Sequence, residues 1–260
     1  MNSRTLVAVS HGTDSQPGAA AIAALVQAAA RELPQTRTLE AFVDVQQPDL
    51  PKVLEQAGDR ATIVPLLLST GYHVRQDIAD SANASAVTNI DITRALGPDP
   101  RLAKVLHQRL IESSWTPGDH TILVAAGSSD DRAVAEVQEQ ADMLRALIGE
   151  LDVAFLSAAE PKLKDLVPRI KFKHPRKKIV VATYLLAPGF FAGLAAKSGA
   201  HIVSEPLLTE TQEPPREIVE LLVERFNRAV EPGGTTGCLQ NLRNLKTPFE
   251  CAAGCAVSCR

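Results

Sequence analysis

The feature that most constrains this chain is an internal repeat. LVAVSHGTDS (6–15) lines up with TILVAAGSSD (121–130), AFVDVQQPDL (41–50) with AFLSAAEPKL (154–163), and VPLLLSTGYH (64–73) with ATYLLAPGFF (182–191). The three matches keep a nearly constant offset of about 113 to 118 residues. Each half alternates short apolar runs with helical patterns. In the first, the runs at 6–10, 38–44 and 62–69 and a weak one at 90–94 read as strands, with helices at 18–32, 49–57, from 74 onward and at 100–113. The pattern restarts with a strand and turn at 121–130, strands at 152–158, 177–187 and 200–204 and helices between them, at 132–148 and finally 215–230. Strict alternation implies parallel sheets covered by helices on both faces. The expected fold is α/β, two tandem flavodoxin-like parallel-sheet lobes related by duplication. Residues 1–115 form the first lobe and 116–231 the second, divided by the polar stretch SSWTPGD. A cysteine-containing tail at 232–260 lacks the periodic pattern.

The repeat also serves as an internal control. Where the first half has His11, Asp44 and His73, the second has Ala126, Ser157 and Phe191. The scaffold is kept twice, the ligand-type side chains once. In a flavodoxin-like order the first strand is central, and sites in such sheets lie at the carboxyl ends of the strands. His11 ends the first strand, Asp44 the second, and His73 follows the third. Two imidazoles and a carboxylate suit a divalent first-row metal and leave positions open for a substrate. The remaining histidines read as ordinary polar residues. Ser10, Gly12 and Thr13 after the first strand, and Ser69, Thr70 and Gly71 after the third, form turns whose N–H groups and hydroxyls suit carboxylates or phosphates. Tyr72, Arg75 and Gln76 flank His73, and Arg75 is a candidate partner for an anionic substrate.

Composition excludes several classes. A net charge of −3 and 4% aromatic residues give no basic face and little to stack bases on, so no nucleic-acid partner is expected. No stretch approaches the roughly 18 apolar residues of a membrane span. The N-terminus reads as a first strand, not a signal peptide, so the expected location is cytoplasmic. No nucleotide-binding glycine pattern is present.

The motifs S-H-G, A-F-V-D-x-x-x-P and P-L-L-L-S-T-G-Y-H-V-x-x-D-I, the last running through His73, Val74, Asp77 and Ile78, resemble those of the sirohydrochlorin chelatase family. These are class II tetrapyrrole chelatases of sirohaem and cobalamin synthesis. The resemblance spans about residues 5–231 and implies a chelatase-like fold. It also implies insertion of Fe²⁺ or Co²⁺ into a tetrapyrrole without ATP, and a catalytic, metal-binding pair in His11 and His73. The family often has Glu where this chain has the shorter Asp44. A metal-delivery protein without turnover would share the same histidines. The expected assembly is a monomer or weak homo-oligomer.

All four cysteines lie in the last 23 residues. Cys238 precedes Cys251, Cys255 and Cys259, a C-x3-C-x3-C run. Four thiols in a reducing compartment suit an iron–sulfur cluster, with tetrahedral zinc or a free thiol-bearing tail as alternatives.

Overall fold

The structure, a computed structural model, describes residues 4–69 and 71–229, with residues 72–75 described in backbone alone. The first half runs β1 (Thr5–Ser10), α1 (Gln16–Glu32), β2 (Thr38–Phe42), α2 (Leu50–Glu55), β3 (Arg60–Pro65), α3 (Tyr72–Ala84), β4 (Asn89–Ile92) and α4 (Pro100–Glu112). The second runs β5 (His120–Ala125), α5 (Asp131–Ile148), β6 (Asp152–Phe155), α6 (Leu163–Lys173), β7 (Ile179–Thr183), α7 (Phe190–Ala196), β8 (Ile202–Val203) and α8 (Arg216–Arg228). Each half builds a four-stranded, all-parallel sheet, in the orders β2-β1-β3-β4 and β6-β5-β7-β8. β1 and β5 are therefore inner strands. Every residue of β1 is buried, which is why it reads as a continuous apolar run.

The strands are shorter than the apolar runs that announce them. β3 stops at Pro65, and the following Leu66 is 2% exposed: the run past the strand encodes burial in the core. β2 stops at Phe42, because Phe42 bridges back to Asp49 and Val45 takes a φ of 61°. Asp44 thus lies in a loop two residues past the strand it was expected to end. α1 starts at Gln16, earlier than its apolar pattern. Ser15 caps it by accepting the Gly18 N–H at 3.3 Å, and Pro17 sits in the first turn where no donor is needed.

Both sheets share one interior. Leu6, Ala8 and Val64 of the first sheet and Leu123, Val153, Phe155, Val180 and Ala182 of the second belong to a single buried cluster with apolar residues of α1, α4, α5 and α8. Smaller clusters cover the outer faces, under α2 and α3 in one half and α6 and α7 in the other. Within the shared layer the closing helices are exchanged. α4, from the first half, packs on α5 and β7 of the second; α8, from the second, packs on α1 and β3 of the first.

Two arginines at matching helix positions fasten the exchange. On α4, Arg109 donates to the Leu207 carbonyl at 3.0 Å and to Gln212. On α8, Arg225 donates to the carbonyls of Ala95 at 3.0 Å and Leu96 at 3.2 Å, and pairs with Asp99 at 3.3 Å. Asp99 also holds Arg101 at 2.8 Å and caps α4 by accepting the Arg101 N–H. Burial alone would raise the Asp99 carboxyl pKa, but hydrogen bonds from Arg101 and the charges of Arg101 and Arg225 hold it below its ordinary value. With each buried Leu, Val or Phe stabilising by about 1.5–3 kcal/mol, this interior outweighs any single link between the halves. No helix among the described residues is long and apolar enough to cross a membrane.

Candidate functional site

The loop after β1 is built against the loop after β2. The Ser10 carbonyl accepts the Val43 N–H and the His11 carbonyl accepts the Asp44 N–H, both at 3.0 Å. Thr13 N–H donates to Gln46 Oε1 at 2.9 Å, closing the same loop pair from the other side. Between these bonds Gly12 has a φ of 94° and lies so close to the Asp44 carbonyl that a β-carbon would strike it. A left-handed conformation and a crowded neighbour both demand glycine here. The outcome is that His11 and Asp44, both exposed, are held side by side at the carboxyl end of the sheet. Asp44 Oδ1 accepts its neighbour Val45's N–H at 2.8 Å, so one carboxylate oxygen is engaged in the turn.

The second half repeats the two main-chain bonds and the glycine turn of this scaffold without the chemistry. Ala125 and Ala126 carbonyls accept the N–H groups of Leu156 and Ser157 at 3.0 and 2.8 Å. Gly127, with a φ of 97°, is pressed against the Ser157 carbonyl as Gly12 is against that of Asp44.

The two sets of loops meet. A β-carbon at Gly189 would lie 3.4 Å from Thr13 Oγ1, and one at Gly71 would lie 3.4 Å from Ser128 Oγ. In the repeat, Gly71 corresponds to Gly189 and Thr13 to Ser128. The contacts are therefore one contact made twice, the signature of an isologous, two-fold interface. Gly18, in the first turn of α1, adds a close approach to the Pro188 carbonyl. The loops at the carboxyl ends of both sheets thus meet, with the start of α7 beside the His11 loop. These cross-contacts were missed in reading the sequence, although the repeat alignment already paired their members.

The other expected site residues fall as follows. Ser10 is buried at 6% exposure, so its contribution is to the ladder and not to a surface. Thr13 Oγ1 accepts the Ser15 N–H at 3.1 Å. Ser69 is half-buried near the carboxyl end of β3. α3 begins after Gly71 with no side-chain cap on its first N–H groups, and Tyr72, His73 and Arg75 occupy its first turn. Gln76 is turned to its own helix, donating to Asp80 at 2.9 Å. Thr70 and the side chains of Tyr72, His73 and Arg75 lie outside the described residues, as do Cys238, Cys251, Cys255 and Cys259. Among the described residues no group of three or more His, Cys, Asp or Glu side chains is placed to hold a metal.

Two duplicated parallel sheets, meeting through the loops at their carboxyl ends, define a two-lobed α/β protein of chelatase-like fold. The family model described as CbiX matches residues 5–113 and again 120–229, and the chain belongs to this family of sirohydrochlorin chelatases. A sirohydrochlorin ferrochelatase from Priestia megaterium is 26% identical over 193 residues, covering 70% of this chain and 72% of that one. SirB from Bacillus subtilis, solved with Fe³⁺, superposes with a TM-score of 0.72 at 20% identity over 87% of this chain and 95% of that one. The sirohydrochlorin chelatase SirB from Bacillus subtilis subspecies spizizenii, solved with cobalt, gives 0.68 at 18% identity over 90% and 98%.

Proposed function

We propose that this protein is a sirohydrochlorin chelatase that inserts a divalent metal into the tetrapyrrole without ATP, with Fe²⁺ as the favoured ion and sirohaem as the product. The observation that carries the proposal is the asymmetry of the repeat: the same fastened loops occur twice, and only the first pair bears His11 and Asp44, with His73 on the neighbouring helix. Family membership and the ferrochelatase relative support it. Insertion exchanges two pyrrole N–H protons for one M²⁺, so the site must present a metal ion and remove two protons. A neutral imidazole has one lone pair, which near pH 7 serves either as a loose ligand or as a proton acceptor. One histidine of the pair can therefore hold the ion while the other and the Asp44 carboxylate pass the two protons in turn to solvent. The Asp44 carboxylate adds charge that favours the cation. The substrate's carboxylate rim suits the uncapped N–H groups at the start of α3 and Arg75.

Imidazole and carboxylate cannot select iron over cobalt by affinity alone, because affinities follow the Irving–Williams order. Cobaltochelatase activity is the second reading, and the cobalt-bound SirB structure favours keeping it. The test is anaerobic incubation with sirohydrochlorin and either Fe²⁺ or Co²⁺, followed by the change in the absorption spectrum. Acceleration over the spontaneous reaction is expected with Fe²⁺; none with either ion would leave a metal-delivery protein as the reading. The tail cysteines are proposed as iron–sulfur ligands, checked by iron and acid-labile sulfide analysis of anaerobically purified protein.

A further inference from the structure

The second half differs from the first by more than a loss of ligands. Where the first half starts its helix with Tyr72-His73, the second starts α7 with Phe190-Phe191. Phe190 is 75% exposed and Leu194, one helical turn on, is 37% exposed. Residues four apart share a helix face, so these two side chains form one apolar strip. Gly193 between them leaves open space beside it. The Phe191 ring stands edge-on to that of Phe190, with centroids 5.4 Å apart at 70°. Lys197 continues the strip at the helix end, exposed and without an ion-pair partner among the described residues. All of this begins one residue after Gly189, which abuts Thr13, two positions from His11.

We infer that Phe190, Phe191 and Leu194 form the apolar wall on which the tetrapyrrole ring lies, with Lys197 meeting a carboxylate on its rim, while the His11 loop addresses the ring's centre. The inference rests on the chelatase reading and adds residues and a role to it. A conjugated macrocycle is flat and apolar on its faces and anionic at its edge, which matches a phenyl strip ending in an ammonium group. Exposed aromatic rings gain most from a flat partner, which excludes water from both surfaces. A phenyl ring also has no lone pair with which to compete for the metal. An imidazole at the position of Phe191 would have one. The change from His73 to Phe191 across the repeat thus separates metal handling from ring holding.

The test is a titration of metal-free sirohydrochlorin into the full-length protein, followed by absorbance, for wild type and for the double variant Phe190→Ser/Leu194→Ser. The wall requires Kd and KM to rise about ten-fold, within the range that loss of aromatic stacking produces. Phe190→Tyr, which keeps a flat face, should bind as wild type does. Because both residues are exposed, melting temperature should not move, and its constancy separates binding from folding. Wild-type Kd and KM in the double variant would overturn the wall and leave the chelatase reading standing. So would a wild-type dimer that the double variant abolishes in sedimentation without change in Kd, which would make the strip a self-association surface. If wild type itself neither binds nor metallates sirohydrochlorin, the chelatase reading falls and the wall with it.

Discussion

The loop after β1 and the loop after β5 have the same backbone and opposite chemistry. Each is tied by two main-chain hydrogen bonds to the loop beside it, and each turns on a glycine with a φ near 95° that no side chain could replace. One presents His11 next to Asp44; the other presents Ala126 next to Ser157. If the second half were merely decaying, its loop geometry would have had no reason to persist. The reciprocal contacts supply the reason. Thr13 meets Gly189 and Ser128 meets Gly71, so each loop packs against the turn that opens a helix of the other half, and its shape matters whether or not it bears ligand-type side chains.

The largest expected effect breaks that comparison on the chemical side. His11→Ala, and separately His73→Ala, should each lower the metallation rate by about 10²-fold or more, the usual contribution of a positioned acid–base group. Ala126→His should not create a second site, because the repeat puts Ser157 and Phe191 where the first half has Asp44 and His73. Rates at wild-type level in both alanine variants would remove the site from the first half.

Next comes the pairing of the halves. Arg225→Met strips the Ala95 and Leu96 carbonyls of a donor and leaves Asp99 with one guanidinium instead of two. Removing one member of a buried ionic network costs about 3 kcal/mol, read as a shift in the urea midpoint. The pH dependence has a definite sign. Asp99 is held below its unfolded pKa, so it binds protons less readily folded than unfolded. Its contribution is present above the ordinary carboxylate range and lost as pH falls through the depressed folded value. In Asp99→Asn that part of the acid-side loss should disappear, flattening stability against pH below the carboxylate range.

The repeat made most of this architecture legible in the sequence. Alternating patterns gave parallel sheets, and the burial of β1 explains why its run was unbroken. What the pattern could not convey is which sheet a helix covers. α4 and α8 are amphipathic either way, and the exchange shows only in their packing and in the carbonyls of the other half that Arg109 and Arg225 reach. Strand ends were overrun because burial continues past the sheet at Leu66. Asp44 shifted into a loop because the Phe42–Asp49 bridge, not hydrophobicity, ends β2. His11 and Asp44 stand out in the sequence because the repeat aligns them with Ala126 and Ser157, and the turn glycines because both copies keep them as Gly12 and Gly127. Phe190 was passed over, since exposure cannot be read from an apolar letter.

A smaller effect sharpens the comparison by holding structure constant. Gly12→Ala and Gly127→Ala force an L-residue into the same left-handed conformation against a carbonyl, and each should cost about 2 kcal/mol. Stability losses should match between the two, because the local geometry matches. Metallation should suffer more in Gly12→Ala, where His11 and Asp44 are displaced directly. Equal losses of activity would show that the second loop contributes as much to the reaction as the first.

The smallest effect concerns a tie between the halves that the two-fold does not repeat. Tyr184, fully buried at the end of β7, donates its hydroxyl to the Leu68 carbonyl at 2.8 Å, joining the second sheet to the loop that leads to Gly71. Gly97 leaves room for that hydroxyl, since a β-carbon there would collide with it. Its counterpart in the first half is Leu66, which has no hydroxyl to give. Tyr184→Phe removes a hydroxyl that bonds the Leu68 carbonyl at 2.8 Å and approaches Gln140 Oε1 at 3.4 Å, and keeps the ring, so about 1 kcal/mol should be lost, a fall of roughly 2–4 °C in Tm for a chain of this size. The partly buried Leu68 carbonyl is then left without that donor, which is why the loss should not be zero. No measurable change would mean that the exchanged helices and their arginines position the two halves unaided, and that the break in symmetry at Tyr184 carries no structural weight.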